Sequence, residues 1–477
     1  MNTKLYFGSL IATLLIPSES KAQISKATPD HPNIIFILAD DMGYGDLHCY
    51  GNQYIKTPNI DRLAESGTRF EQAYAGSGIS SPSRCSLMTG KNTGNTRIRD
   101  NQCPVGGKIG IKINPKGDTT YIHRANLLPE DTTIATVLQT AGYRTCLVNK
   151  WHLDGYDPMA APNHRGFDEF YGWTISTPHS NGPYYYYPYY RFHGDSLINI
   201  KENEHDAHVR HNTEISTDDA IAFIHREKDH PFFLYLAYDA PHEPYHIDDT
   251  SWYDEKGEWS MNTKRYAALV SHMDYNIGRV LGTLDALGLR ENTLVVFASD
   301  NGAAVMAPIQ DLNSGAGLKG HKGQLYEGGI KVPVIVNQPG KVPVQKLNNI
   351  IYFPDFMPTF AKITGCTKSL PKNINGMDIS PLFYGEQMDT DNRYLYWEFP
   401  GKQRAIRFGK WKAESIGKNK PLELYNIEDD KYETTNLANK YPKLLKQLDK
   451  QMKKMRTPSE YWPIEGEKGY KNLSLKN

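Results

Sequence analysis

Four short apolar runs end in residues that can do chemistry. Ile34–Ala39 (IIFILA) leads into Asp40-Asp41, and Leu294–Ala298 (LVVFA) into Ser299-Asp300-Asn301-Gly302. Phe232–Ala237 (FFLYLA) leads to Asp239-Ala240-Pro241-His242, and Tyr143–Val148 (YRTCLV) to Asn149-Lys150-Trp151-His152. Continuous apolarity bounded by turn residues marks strands buried on both faces. In open α/β sheets, sites form beyond the carboxyl ends of such strands. One Asp after a strand is commonly a helix cap; four such ends together are hard to assign to capping. Asp40, Asp41, Asp300 and Asn301 make an oxygen-only set that suits Ca2+ or Mg2+ and has no thiolate or imidazole to prefer zinc. Adjacent Asp side chains on a strand point opposite ways, so at least one of Asp40 and Asp41 must lie on the loop beyond it. So many carboxylates repel one another unless a cation joins them.

The next chemical segment is Ser80-Ser81-Pro82-Ser83-Arg84-Cys85-Ser86-Leu87-Met88-Thr89-Gly90. Its pattern, Cys/Ser-x-Pro-Ser-Arg followed by x-x-Leu-x-Thr-Gly, resembles the signature of the type I, formylglycine-dependent sulfatases of the alkaline-phosphatase-like superfamily. NIIFILADDMGYGD, TPNIDRLAESGTRF, NKWHLDG, GFDEFYG, DAPHEP, SDNG and HKGQLYEGGIKVP agree with that family, in its order. The resemblance runs from about residue 33 to 337 and resumes at AIRFGKWK and ELYNIEDDKYETTNLA.

The resemblance implies a role for each matching position. Ser80 would be oxidised to Cα-formylglycine and hydrated to a gem-diol nucleophile; a serine there implies the Ser-type, bacterial glycan members and a dedicated maturation enzyme. Asp40, Asp41, Asp300 and Asn301 would hold the cation, usually Ca2+, with the modified Ser80 completing the shell. Arg84 would fix the gem-diol, Lys150, His242 and Lys322 would contact the sulfate ester, and His152 would assist release of sulfate. Lys322 is preferred to Lys319 and His321 because it holds the lysine position of the Lys-x-x-x-Tyr-Glu-Gly-Gly pattern. The chemistry fits these types. A sulfate monoester is an anion that resists nucleophiles, so a cation and fixed Lys/Arg donors must first neutralise it. An imidazole titrates near working pH, so His242, with Lys322, can protonate the departing sugar oxygen.

Substrate choice should lie in loops around this centre. Arg97, Arg99 and Asp100 follow the signature and can bind sugar hydroxyls through charge-assisted hydrogen bonds. The tyrosine-rich stretch 183–193 (PYYYYPYYRFH), beside Trp173 and His179, can stack on sugar rings or simply pack on itself. The layout implies a sulfated glycan substrate, favouring exo-acting removal of sulfate from galactose or N-acetylgalactosamine units. Two other readings remain: a metal-dependent phosphomonoester or phosphodiester hydrolase of the same superfamily, and a catalytically dead glycan-binding relative.

The elements that must position these residues alternate between strand and helix. Asn59 is expected to cap IDRLAESG, which Gly67 would end. Thr132–Ala141 precedes a stop at Gly142. Within Arg265–Leu287, Val270, Met273, Ile277, Leu281 and Leu284 recur at helical steps. The expected fold is α/β: a large, mainly parallel sheet sandwiched by helices over residues 30–388. From about residue 389 short strands and then a helix with Leu444, Leu445, Leu448, Met452 and Met455 on one side predict a smaller α+β subdomain (389–477) with an antiparallel sheet.

Composition narrows the classes. In 477 residues, 54 Lys+Arg balance 54 Asp+Glu. A chain without surplus cations is not a generic nucleic-acid binder. Residues 1–22 read as a signal peptide: Lys4, the apolar run Leu5–Ile16, the break at Pro17 and the Ser20-Lys21-Ala22 cleavage pattern. That run is shorter than the roughly 20 residues of a membrane span. Export to the periplasm or beyond is therefore expected, with no membrane span. The five cysteines (49, 85, 103, 146, 366) form neither a disulfide framework nor a zinc pattern.

Overall fold

The first strand, β1 (Asn33–Ala39), is buried along its whole length. Its side chains alternate between two cores: Ile34, Phe36 and Leu38 pack in one, Ile35, Ile37 and Ala39 in the other. That is the packing of a strand covered on both sides. The computed structural model describes residues 31–113, 119–177, 185–305, 309–464 and 467. The expected signal peptide and His179 lie outside the described residues.

The strands continue in chain order as β2 (Thr68–Tyr74), β3 (Lys108–Ile113), β4 (Thr119–Arg124), β5 (Arg144–Lys150), β6 (Glu169–Trp173), β7 (Tyr190–His193) and β8 (Ser196–Asn199). Then come β9 (Phe232–Ala237), β10 (Thr293–Ser299), β11 (Val334–Asn337) and β12 (Gln345–Tyr352). Ten of these form one sheet in the order β12-β2-β11-β10-β1-β9-β5-β6-β7-β8, while β3 and β4 pair as a separate hairpin. The core of the sheet, β10-β1-β9-β5-β6, is parallel throughout. β11, β7 and β8 add antiparallel pairings toward the edges. The fold is thus α/β with a large mixed, mainly parallel sheet. Helices α1 (Pro58–Glu65), α4 (Asn212–Glu227) and α5 (Met261–Ala286) supply one core; α2 (Ser80–Thr89), α3 (Ile134–Gln139) and the helix Phe356–Ile363 supply the other.

Local expectations need two corrections. Asn59 does not cap α1, which starts one residue before it at Pro58; its amide instead donates to Asp274 Oδ2 at 2.8 Å. The helix ends at Glu65, before Gly67. In α3 the cap is Thr133, whose hydroxyl accepts from Thr136 N. In α5, Val270, Met273, Ile277 and Leu284 are buried as the periodicity implies, and Leu281 is partly so.

At the C-terminal end β13 (Tyr394–Phe399), β14 (Gln403–Phe408), β15 (Trp411–Ile416) and β16 (Glu423–Asn426) form an antiparallel meander, followed by the helix Pro442–Lys454. Leu448 and Met452 of that helix are buried against it. The meander docks on the body through Trp397, fully buried, whose indole N–H donates to Ala75 O at 2.8 Å. All five cysteines are free, and four are buried.

Candidate active site

The parallel register brings the strand ends together. β1 pairs with β10 so that Ala39 lies beside Ser299, and Asp40 and Asp300 follow as neighbours. Asp41 has a φ of +64°, a left-handed turn that interrupts strand alternation just past Ala39. Both adjacent carboxylates can then enter one site. Asp41 N donates to Asp300 Oδ1 at 3.1 Å, and Asn301 Nδ2 donates to Asp41 Oδ1 at 2.8 Å. All four residues are buried to within a percent or so.

Ser80 enters from α2, whose first residue it is. Its Oγ donates toward Asp40 Oδ1 at 2.8 Å and toward Asp300 Oδ2 at 2.5 Å. One turn on, Arg84 reaches the same two carboxylates: Nε to Asp300 Oδ2 at 3.0 Å, and Nη2 to Asp300 Oδ2 at 2.9 Å and Asp40 Oδ1 at 3.4 Å. Its Nη1 donates to Lys150 O at 3.3 Å. Spacing by four on one helix face is what lets the signature present both side chains to one point.

Lys150, the last residue of β5, donates from Nζ to Asp40 Oδ2. Lys322 donates to Asp41 Oδ2 and stands 3.3 Å from His242 Nε2, which is itself 3.5 Å from Asp41 Oδ2. The Lys322 loop is held by close backbone approaches. A Cβ at Gly302 would sit 1.9 Å from Gly328 O, and one at Gly78 would sit 2.5 Å from Gln324 O. Gly323 N donates to Gly78 O at 2.7 Å, and Lys322 N to Ala303 O at 2.9 Å. Lys319 turns away to the C-terminal sheet, donating to Tyr425 OH at 2.9 Å. His321 faces Lys322 O through Nδ1.

Charge in the cluster is strongly coupled. Burial raises Asp40, but Lys150, His242, Arg84 and Lys322 outweigh it and hold the carboxyl well below its ordinary value. Burial and the facing Asp40 carboxylate push Asp300 up to about 7, despite Arg84. Burial works against the Lys322 ammonium, yet Asp41 and Asp40 raise it. Burial, with Lys150, Arg124 and Arg84 nearby, holds His152 well below its ordinary value, so its imidazole is neutral.

His152 is placed by Arg124, at the end of β4, whose Nη1 lies 3.2 Å from His152 Nε2 and also donates to Asn101 O at 2.9 Å. A guanidinium only donates, so Nε2 accepts and the ring proton is on Nδ1, which is buried without a partner. Sequence reasoning gave no role to Arg124. It included Tyr185 only in the stretch 183–193 that could stack on sugar or pack on itself, whereas the hydroxyl reaches Asp40 Oδ2 at 3.1 Å and lies 3.4 Å from Lys150 Nζ. Asp239 does not face the carboxylate set; it anchors the wall, accepting from Trp173 Nε1 at 3.0 Å and Asn149 Nδ2 at 2.8 Å.

The expected sugar contacts fare unevenly. Trp173 does border the centre, with Lys150 Nζ 5.6 Å from its ring centroid. Arg99 does not: it is 2% exposed, with its donors spent on Thr96 O, Glu398 and Thr457. Arg97 is tied to Asp131 and Glu130. Asp100 pairs with Lys402 at 3.0 Å. Tyr185, Tyr186 and Tyr187 are buried in the core beside the site, so this part of the tyrosine stretch is wall and not an open stacking platform.

The donor set can be tested for a cation. Asp40, Asp41 and Asp300 supply carboxylate oxygens, and Asn301 Oδ1 is buried with no hydrogen-bond partner while the Nδ2 of that amide is satisfied. A buried amide oxygen left without a partner, in a residue whose nitrogen touches one of these carboxylates, is costly unless a cation takes it. The residues therefore fit a hard divalent ion.

Comparison with known proteins agrees with this arrangement. The family model described as Sulfatase matches residues 32–366, and one described as N-sulphoglucosamine sulphohydrolase, C-terminal, matches residues 320–458. The N-acetylgalactosamine-6-sulfatase of Homo sapiens is 33% identical over 410 residues, 82% of this chain and 72% of that protein. A sulfatase of Formosa agariphila is 30% identical over 511 residues, 91% and 89% of the two chains. The crystal structure of Ps i-CgsB in complex with k-i-k-neocarrahexaose superposes with a TM-score of 0.74 at 30% identity, covering 89% of this chain and 92% of that one. A phosphonate monoester hydrolase of Agrobacterium radiobacter, at 17% identity and a TM-score of 0.61, shares the fold alone. With a buried serine gripped by two carboxylates at its centre, this chain belongs to the sulfatase family and is a sulfuric ester hydrolase.

Proposed function

We propose that the protein removes sulfate from a sulfated carbohydrate, using Ser80 after its oxidation to Cα-formylglycine, beside one Ca2+. The observation that carries this reading is Ser80 Oγ, buried and within hydrogen-bond reach of both Asp40 and Asp300 while Arg84 spans the same carboxylates. Asp40, Asp41, Asp300 and Asn301 would hold the ion, with the side chain at position 80 completing the set. When bound there, the ion would neutralise charge on the sulfate oxygens, and formylglycine would supply a hydrated carbonyl with two hydroxyl groups.

The chain's own residues do the rest. Lys150 and Lys322, fixed on Asp40 and Asp41, donate to an incoming sulfate and offset its charge without reorganising. Arg84 keeps position 80 oriented against its carboxylate partners. Lys322 Nζ, 3.3 Å from His242 Nε2, can only donate to it, so His242 would give Nε2–H to the departing sugar oxygen as an imidazolium, once the incoming sulfate has drawn the Lys322 ammonium to itself. Neutral His152 keeps its Nδ1–H for a hydrogen bond as sulfate leaves. The N-terminus of α2 at Ser80 adds a favourable dipole for an anion.

The relatives named N-acetylgalactosamine-6-sulfatase support N-acetylgalactosamine sulfates as the substrate class; galactose sulfates and exo action belong to the same proposal. The signal-like stretch of residues 1–22 supports export to the periplasm or beyond, and the serine at position 80 calls for a Ser-type maturation enzyme. No helix among the described residues is long and apolar enough to cross a membrane. Incubation with sulfated and phosphorylated monosaccharides in calcium tests the reading: sulfate release from the galacto-configured esters is expected. Turnover of phosphate esters alone would overturn it.

Two predictions arise here. His242→Ala should lower kcat by about 10²–10⁴-fold on sugar sulfates but far less on aryl sulfates, whose leaving groups need no proton. Equal losses on both would remove His242 from the leaving-group role. The second concerns pH. A carboxyl raised on folding stabilises the fold at low pH, and that contribution is lost as pH rises toward 7; Asp40, held low, matters only below about pH 4. In the cation-free protein the Asp300 contribution should therefore be lost as pH rises from about 4 to 7, while His152, His211 and His272, held below their ordinary value by burial, work the other way. Calcium must displace the Asp300 proton, so its affinity should fall by up to about tenfold per pH unit below 7 and level off above it. Calorimetric titration on either side of neutrality measures this, and a flat affinity would contradict it.

A further inference from the structure

A second group of metal-type side chains lies outside the carboxylate set. The rings of His208 and His246 meet edge to face at 4.5 Å. Tyr187 stacks on His208 at 4.5 Å and meets His246 edge-on at 5.0 Å, which fixes both imidazole planes. Asp248 presents Oδ2 3.3 Å from His208 Nδ1 and Oδ1 3.8 Å from His246 Nε2. One ligand atom from each of the three lies within 4.8 Å of the others. The group borders a cavity of about 210 Å3 that His211, His272 and Glu214 also line.

We propose that His208, His246 and Asp248 bind a zinc ion. Two imidazoles with one carboxylate are borderline-soft donors, which suit zinc and not the calcium assigned to the all-oxygen set. At zinc–ligand distances of about 2.0–2.1 Å, a tetrahedral site places its donor atoms about 3.3 Å apart. The His208–Asp248 pair already has that spacing. His246 Nε2 faces the other oxygen, Oδ1, at 3.8 Å, so the Asp248 carboxylate, 56% exposed along its side chain, must turn to bring one oxygen to both imidazoles. Of the neighbouring imidazoles, His211 uses Nδ1 to accept from Thr213 N at the start of α4 and keeps a buried, unpartnered Nε2, while His272 Nε2 stands 3.6 Å from Glu214.

The position has a consequence for the sulfate centre. His246 and Asp248 lie on the loop that carries His242, and Tyr187 is two residues from Tyr185, which touches Asp40. Zinc would tie the 208 loop, the tyrosine segment and the His242 loop into one wall.

Calorimetric titration of zinc chloride into the protein in excess calcium, near neutral pH, tests this. Wild type is expected to take up one zinc per chain, and His246→Ala and Asp248→Asn each to weaken that binding by about tenfold or more while calcium binding is unchanged. Asp248→Asn alters an exposed side chain, so it decides the matter if His246→Ala fails to fold. Cobalt substituted for zinc should show the strong visible absorption of a tetrahedral ion in wild type and lose it in the variants. Absence of zinc uptake by wild type, or equal zinc affinity in wild type and both variants, would overturn the proposal. Either result would leave the sulfatase reading standing.

Discussion

Ser80→Ala is expected to abolish sulfate release, a loss of about 10⁴-fold or more in kcat/KM, because removal of a nucleophile leaves only the binding contribution of its surroundings. Neither Ser81 nor Tyr185 can take over. Ser81 Oγ donates to His152 O at 2.8 Å, and Tyr185 reaches Asp40 but is committed between that carboxylate and Lys150. The variant should remain folded, since alanine is a good first helical residue and α2 keeps its Gly90 stop. Ser80→Cys separates a formylglycine route from a plain serine one. Produced in a host whose maturation enzyme accepts cysteine, it should recover activity; a bare hydroxyl nucleophile would predict none. Sulfate release at wild-type rates by Ser80→Ala would end the account.

Arg84→Met should be the most damaging substitution to fold and function together. Arg84 is fully buried and bridges Asp300 and Asp40 with Nε and Nη2. Methionine matches much of its volume but leaves two buried carboxylates without their fixed cation, a change that costs about 3–5 kcal/mol for one broken buried pair. Burial already pushes Asp300 up to about 7, so the variant should protonate there and bind calcium more weakly. Activity should fall by about 10²–10³-fold or more through lost orientation of position 80. High calcium should recover part of the stability, read as a rise in Tm, and little of the activity. Wild-type Tm and rate in Arg84→Met would show that the guanidinium is incidental.

Much of the site was legible because a parallel sheet converts strand ends into neighbours. The apolar runs of β1, β9 and β10 announced themselves, and Asp40, Asp41, Asp300, Asn301 and His242 after them come together, while Asp239 turns to the wall. Ser80, Arg84, Lys150 and Lys322 contact those carboxylates directly, while His152 is reached through Arg124. The less apolar strands were harder to see. β2 (TRFEQAY) alternates buried and half-exposed positions and carries Arg and Glu, so no continuous run marks it. The roles of Arg124 and Tyr185 were missed because they depend on where a hairpin and a loop land, which no local spacing encodes. Arg99 misled for the converse reason: a charged residue near the signature looks available until Glu398, from about 300 residues later, is seen to claim it. The C-terminal meander also has a role that sequence reasoning left open. Lys412 joins Glu327, Glu414 and Glu433 in a buried cluster at 2.7–3.1 Å, and Tyr326 OH donates to Glu423 at 2.9 Å. These contacts fix the Tyr326-Glu327 turn next to the loop that carries Lys322.

Mass spectrometry of the peptide bearing Ser80, taken from active protein made in its own host, tests the central claim most directly. The account predicts a residue lighter than serine by two hydrogens, in a fraction that tracks specific activity from one preparation to the next. Full activity in protein whose position 80 is wholly unmodified serine would contradict it.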